Sequence, residues 1–265
     1  MRDRITSLSN PRVKHIISLH RRRVRHRERL FIAEGIRLIE EGLKAKSKPA
    51  ALFFTEEAAS ADRGQKLLRM ARDMGVMLTE VSSEVMSAMA DTENPQGILA
   101  AFSFVQSSIP TRPTLTLVVD GVRDPGNLGT LLRSADAAEV DEVLLTRRSV
   151  DIYNPKVVRG GMGSHFRLPS RGGLSWQEIG RAVEGMGVAL ADARGGERYD
   201  DVPWRDPWAV LVGGEAEGSS VEARSLADRL ITIPCRQGVE SLNTAVAGSV
   251  ILFEARRQRR SGGTT

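Results

Sequence analysis

The chain has 265 residues, a single cysteine, Cys235, and 38 Lys and Arg against 33 Asp and Glu, for a formal net charge of +5. Such a length buries one large or two ordinary cores without staples, and one cysteine excludes an internal disulfide, so a reduced, cytoplasmic setting is expected. No run approaches a bilayer span, the opening Met-Arg-Asp-Arg-Ile-Thr lacks the apolar stretch of a secretory signal, and His15, His20, His26 and His165 stand at no metal-ligand spacing, so neither a membrane nor a metal is expected.

Asn10-Pro11 reads as a helix cap followed by a proline at the first helical position, with Val13, Ile16, Ile17 and Leu19 as the buried side. Between Arg12 and Arg29 lie eight basic residues (Arg12, Lys14, Arg21, Arg22, Arg23, Arg25, Arg27, Arg29) against the lone acid Glu28. A face of that kind suits polyphosphate, or is simply a solvated helix surface. With aromatics at 5%, base stacking is a poor candidate for nucleic-acid binding, and phosphate contacts should dominate. Leu30–Ala33, Ala51–Thr55, Val76–Val81 and Gly97–Phe104 read as strands, alternating with helices over Glu34–Leu43, Gln65–Met74 and Ser83–Ala90. Residues 1–105 are thus expected to form a small α/β domain. The Ser- and Pro-containing stretch 106–113 reads as a linker.

Over 114–260 the alternation resumes. Strands are expected at Leu115–Val119, Val143–Thr146, around His165–Leu168, and at Val188–Ala191, Trp208–Val212 and Leu230–Ile233. Helices are expected after Asn127 as N-cap, and over Pro155–Arg159, Ser175–Met186 and Leu242–Arg257. A second arginine cluster, Arg256, Arg257, Arg259 and Arg260, sits near the end, and 261–265 read as a disordered tail.

Three polar or Gly-rich segments fall at strand exits: Asn127–Arg133, Gly213–Gly218 and Ile233–Asn243. Ligands of open α/β sheets bind outside the carboxyl ends of the strands, so three such exits in one domain predict one composite site. Gly213, Gly214 and Gly218, lacking side chains, would let backbone groups approach a flat ligand such as adenosine. A dinucleotide fold instead places its Gly-x-Gly-x-x-Gly after the first strand of the unit, which disfavours an oxidoreductase. By their chemistry alone, Ser241 could be a helix N-cap, Asn243 a first-turn residue, Arg133 a surface arginine, His165 a structural histidine and Cys235 a small buried filler.

In order and spacing these segments resemble the three signature motifs of the SpoU/TrmH family of RNA ribose 2′-O-methyltransferases. The resemblance implies a parallel-sheet SPOUT domain with a trefoil knot, working as a homodimer on S-adenosylmethionine without a metal. It assigns Arg133 and Asn127 to catalysis together with Glu215, Ser241 and Asn243, and donor contacts to Gly213, Gly214, Gly218, Ile233 and Leu242. Asp151–Gly163 resembles a further family segment, with Asn154 and Arg159 in matching places and Gly160-Gly161 where many relatives carry Ala-Ser. The first domain is similar to a ribosomal-protein-like RNA-binding module, with Arg21, Arg22, Arg23, Arg25 and Arg159 as candidate RNA contacts. The expected activity is methylation of a ribose 2′-hydroxyl in structured RNA, foremost ribosomal RNA. A non-catalytic RNA-binding or ribosome-assembly factor of the same fold is the alternative.

Overall fold

A computed structural model describes residues 4–105, 110–214 and 218–260. The chain divides into two compact units, and the expected linker and tail lie largely outside the described residues. The first unit runs through α1 (Pro11–Ser18), α2 (Arg22–Glu28), β1 (Leu30–Glu34), α3 (Ile36–Lys44), β2 (Ala51–Phe54), α4 (Glu56–Ser60), α5 (Asp62–Asp73), β3 (Leu78–Glu80), α6 (Ser83–Met89) and β4 (Ile98–Ser103). Its sheet has the order β1-β4-β2-β3, antiparallel except for the parallel β2–β3 pair. As the Asn10-Pro11 pair predicts, Asn10 caps α1 by accepting from the Arg12 N–H, and Val13, Ile16 and Leu19 are buried against Val85, Met86 and Met89.

The second unit continues with β5 (Leu115–Asp120), α7 (Pro125–Ala137) and β6 (Glu142–Thr146). After α8 (Pro155–Gly161), which clusters with the first unit, come β7 (Ser170–Leu174), α9 (Trp176–Ala182), β8 (Gly187–Ala191), β9 (Glu197–Arg198), β10 (Trp208–Gly213), α10 (Val221–Leu226), β11 (Arg229–Thr232) and α11 (Thr244–Arg260). Its seven strands are parallel, in the order β7-β6-β5-β10-β8-β11-β9. The central strands β5 and β6 are buried along their whole length, as a sheet covered on both faces requires. Register pairs Gly213 with Asp120, so the exits of β5 and β10 lie side by side at the carboxyl edge.

Three expectations need correction. Residues 164–166 form a 3-10 turn, and the strand follows at 170–174. Buried His165 and Phe166 join an aromatic cluster with Phe31, Phe102 and Tyr153, which draws Tyr153–Phe166 into the first unit although the sequence boundaries put them in the second. The edge strand β7 is Ser-Arg-Gly-Gly-Leu with an exposed centre, so it carries no apolar signature. The cap of α7 is Asp124, whose carboxylate accepts from the Asn127 N–H at 2.8 Å, with Pro125 in the first turn. Asn127 is thereby released for another partner.

Candidate active site

Four segments at the carboxyl edge of the parallel sheet enclose a cleft of about 570 Å³: Ala191–Arg194 after β8, Val212–Gly214 with Gly218-Ser219 after β10, Ile231–Cys235 along and after β11, and Val239–Thr244 entering α11. Gly213, Gly214, Gly218, Ile233, Ser241, Leu242 and Asn243, all singled out from the sequence, line it. Glu215 lies outside the described residues. The loop's own packing demands its glycines. A Cβ on Gly214 would sit 2.4 Å from the Gly121 carbonyl oxygen, and Gly218 takes φ +66°. Backbone contact between the exits of β5 and β10 therefore fixes this wall before any ligand arrives.

The head of α11 ties the cleft together. Asn243 is its cap: its side-chain oxygen accepts from the N–H groups of Ala245 (2.9 Å) and Val246 (3.2 Å). Its amide nitrogen donates to the Asn127 side-chain oxygen at 3.0 Å, and the Thr244 hydroxyl donates to the Gly213 carbonyl at 3.1 Å. Ser241 is exposed at the cleft and does not take the capping position. Asn127 and Asn243, 116 residues apart, are thus in direct contact, which links the first motif to the last. Helices α7 and α11 pack closely enough that a Cβ on Gly248 would meet Leu131 at 2.5 Å. Arg133 projects from α7, exposed and with no ion pair among the described residues, and it does not line the cleft of its own chain.

Other residues of the site were not singled out in the sequence. Asp192, Arg194 and Arg224 line the cleft. The Asp192 carboxylate accepts from the Arg194 N–H at 2.8 Å and from the Arg224 guanidinium at 2.5 Å. Burial would raise its pKa, but these bonds and the two nearby guanidinium charges outweigh burial and hold it below the ordinary aspartate value. Buried Asp120, at the end of β5, accepts from the Ser220 N–H at 3.0 Å and from the Thr146 hydroxyl at 3.1 Å. A signal for Asp192 was present: Ala191-Asp-Ala-Arg-Gly-Gly196 is a fourth polar, Gly-rich strand exit.

The basic residues divide. Arg21, Arg22 and Arg23 are exposed at the start of α2. Arg25, expected on the same face, is instead 2% exposed, donating to the carbonyls of Leu19 and His20 that α1 leaves unsatisfied. Arg159 is paired with Asp91 at 2.7 Å. Of the C-terminal cluster, Arg256 bonds the Ala137 carbonyl and Glu139, Arg257 pairs with Glu254, and Arg259 bonds the Trp204 and Asp206 carbonyls. Cys235, expected as a buried filler, is exposed. Among the described residues, no helix is long and apolar enough to cross a membrane, and no group of His, Cys, Asp or Glu is placed to hold a metal ion.

Residues 114–253 match the SpoU rRNA Methylase family, and residues 10–100 match the MRM3-like substrate binding domain. The chain is 33% identical to mouse (Mus musculus) mitochondrial rRNA methyltransferase 3 over 89% of its own length and 69% of that protein. It is 31% identical to the 23S rRNA (guanosine(2553)-2′-O)-methyltransferase RlmP of Bacillus subtilis over 95% of its length and 98% of that enzyme. The AdoMet-bound crystal structure of an rRNA methyltransferase from Sinorhizobium meliloti superposes with a TM-score of 0.83 at 31% identity, covering 96% of this chain and 97% of that one. With residues of the two later motifs lining one cleft, the first motif bonded to it through Asn127, and a family match over more than half of its length, the chain belongs to the SpoU rRNA methylase family.

Proposed function

We propose that the protein transfers a methyl group from S-adenosylmethionine to a ribose 2′-hydroxyl of structured RNA, foremost ribosomal RNA. The observation that carries this reading is the cleft built jointly by the β10 and β11 exits, hydrogen-bonded through Asn243 and Asn127 to the helix that bears Arg133. Its volume lies within the roughly 300–1,000 Å³ that hold ligands of nucleoside size. Gly213, Ile233 and Leu242 line its wall.

Such a donor supplies an already activated methyl, so the protein's task is to align an in-line displacement. The chain needs a cation for the phosphate beside the target ribose and a group to orient the hydroxyl. Arg133 is unpaired among the described residues and free to do both. A guanidinium holds its proton too tightly to act as a base, so binding and orientation are its roles. The exposed Arg21, Arg22 and Arg23 would hold RNA phosphates.

A homodimer belongs to the same reading. Val246, Val250 and Phe253 form one stripe of α11, with Val246 and Phe253 48% and 45% exposed, as a helix face awaiting a second copy would be. The trefoil knot that the resemblance implies and the cytoplasmic setting complete the proposal.

The test is a methylation assay on ribosomal RNA together with calorimetric titration of the donor. Arg133→Ala and Arg133→Lys should both lose most turnover while binding the donor like the parent. Near-parental methylation by both would remove Arg133 from the mechanism.

A further inference from the structure

Helix α10, which contributes Arg224 to the cleft wall, is fastened to the strands on both sides of β10. Its cap residue Ser220 donates through its N–H to Asp120 at the end of β5, and one turn later Arg224 reaches Asp192 just past β8. The two anchors differ in where they lie. Asp192 and Arg224 line the cleft, whereas Asp120 does not. The Asp192 side chain is 7% exposed, yet it has three assigned tasks: meeting the Arg224 guanidinium, accepting the Arg194 N–H, and so folding the turn that carries Arg194 along the cleft wall.

We propose that Asp192 and Arg224 form a positioning pair for the methyl donor, setting the distance between the β8 exit and α10 and hence the width of the cleft. The inference rests on the donor reading of that cleft. A largely covered carboxylate held by one guanidinium and one backbone N–H is oriented by both bonds. The turn it organises is therefore fixed before ligand binds, and the cost of ordering the wall is not charged to binding. Arg224, 37% exposed, also keeps part of its charge at the cleft surface. A purely structural ion pair of the same kind exists elsewhere in this unit: Arg171 meets Glu142, 2% exposed, at 2.9 Å, and neither lines the cleft.

The experiment titrates S-adenosylmethionine into the full-length parent and into Asp192→Asn, Arg224→Ala, Arg224→Lys and Arg171→Ala, with thermal unfolding of each and the donor KM and kcat on ribosomal RNA. Asp192→Asn and Arg224→Ala should bind donor about tenfold more weakly and raise its KM with a much smaller change in kcat. Arg224→Lys should recover part of the affinity, while Arg171→Ala should lose stability and keep parental affinity. Parental affinity in folded Arg224→Ala, or an equal loss in Arg171→Ala, overturns the inference and leaves the donor reading intact. A parent that binds no donor overturns both. Should Asp192→Asn fail to fold, the two Arg224 variants decide.

Discussion

Asn243 does two jobs with one side chain, and they can be separated. As the cap of a seventeen-residue helix its oxygen is worth about 1 kcal/mol, the usual loss when such a residue becomes Ala. Its nitrogen holds Asn127. Asn243→Asp should therefore keep the unfolding temperature close to the parent's while lowering turnover, and Asn243→Ala should lower both. Thermal melts beside the methylation assay check this, and parental turnover in Asn243→Asp would dissociate the Asn127 contact from activity. Asp192 gives a second residue-scale expectation. Its pKa lies below the ordinary 3.8, so the unfolded chain takes up the proton first. The stability it contributes is complete above that ordinary value and is lost as pH falls through the folded one. Melting temperatures recorded from neutrality into acid should show a shallower acid limb for Asp192→Asn than for the parent. The sequence made Asn243 visible because its motif is local. It hid Asp192–Arg224, because a pair 32 residues apart has no signature until the strand order is known.

At the scale of elements, α2 shows how a run of like charges conceals different duties. Arg23→Ala should leave stability unchanged and reduce the slope of log affinity for ribosomal RNA against log salt by roughly 0.7–0.9, the loss of one phosphate contact. Arg25→Ala should cost about 1–3 kcal/mol, since two carbonyls at the end of α1 lose their donor, with the salt slope preserved. Salt-dependent binding and denaturant unfolding of both variants check the division. Amphipathic α1 and the apolar strands β1, β4, β5, β6 and β10 were legible from periodicity and length. The edge strand β7, the two-residue β9 and the six-residue α10 were not: each is too short or too polar to carry a period, and pairing with neighbours holds it in place. The carboxyl-terminal arginines looked like a second basic patch, but Arg256 and Arg259 instead bond backbone carbonyls of the parallel-sheet unit.

For the whole molecule, the apolar stripe on α11 makes assembly testable. If the proposed homodimer uses this stripe, Phe253→Asp should shift the protein toward monomer in sedimentation and lower methylation in parallel, whereas an unchanged sedimentation coefficient would remove the stripe from any assembly. Fold class was legible at this scale because alternating helices and buried strands leave few other architectures. Membership of the aromatic cluster was not, since it joins rings more than a hundred residues apart. That cluster also orders events in time. Phe31 and Phe102 emerge from the ribosome long before Tyr153 and Phe166, and until those partners are made the two rings have only each other and Phe104 as aromatic neighbours. A gene cut at 106–113, where the pattern invites a division, would yield an amino-terminal piece in which Phe31 and Phe102 lack the rings of Tyr153, His165 and Phe166, while the core around Ile16, Phe53 and Met86 keeps all its members.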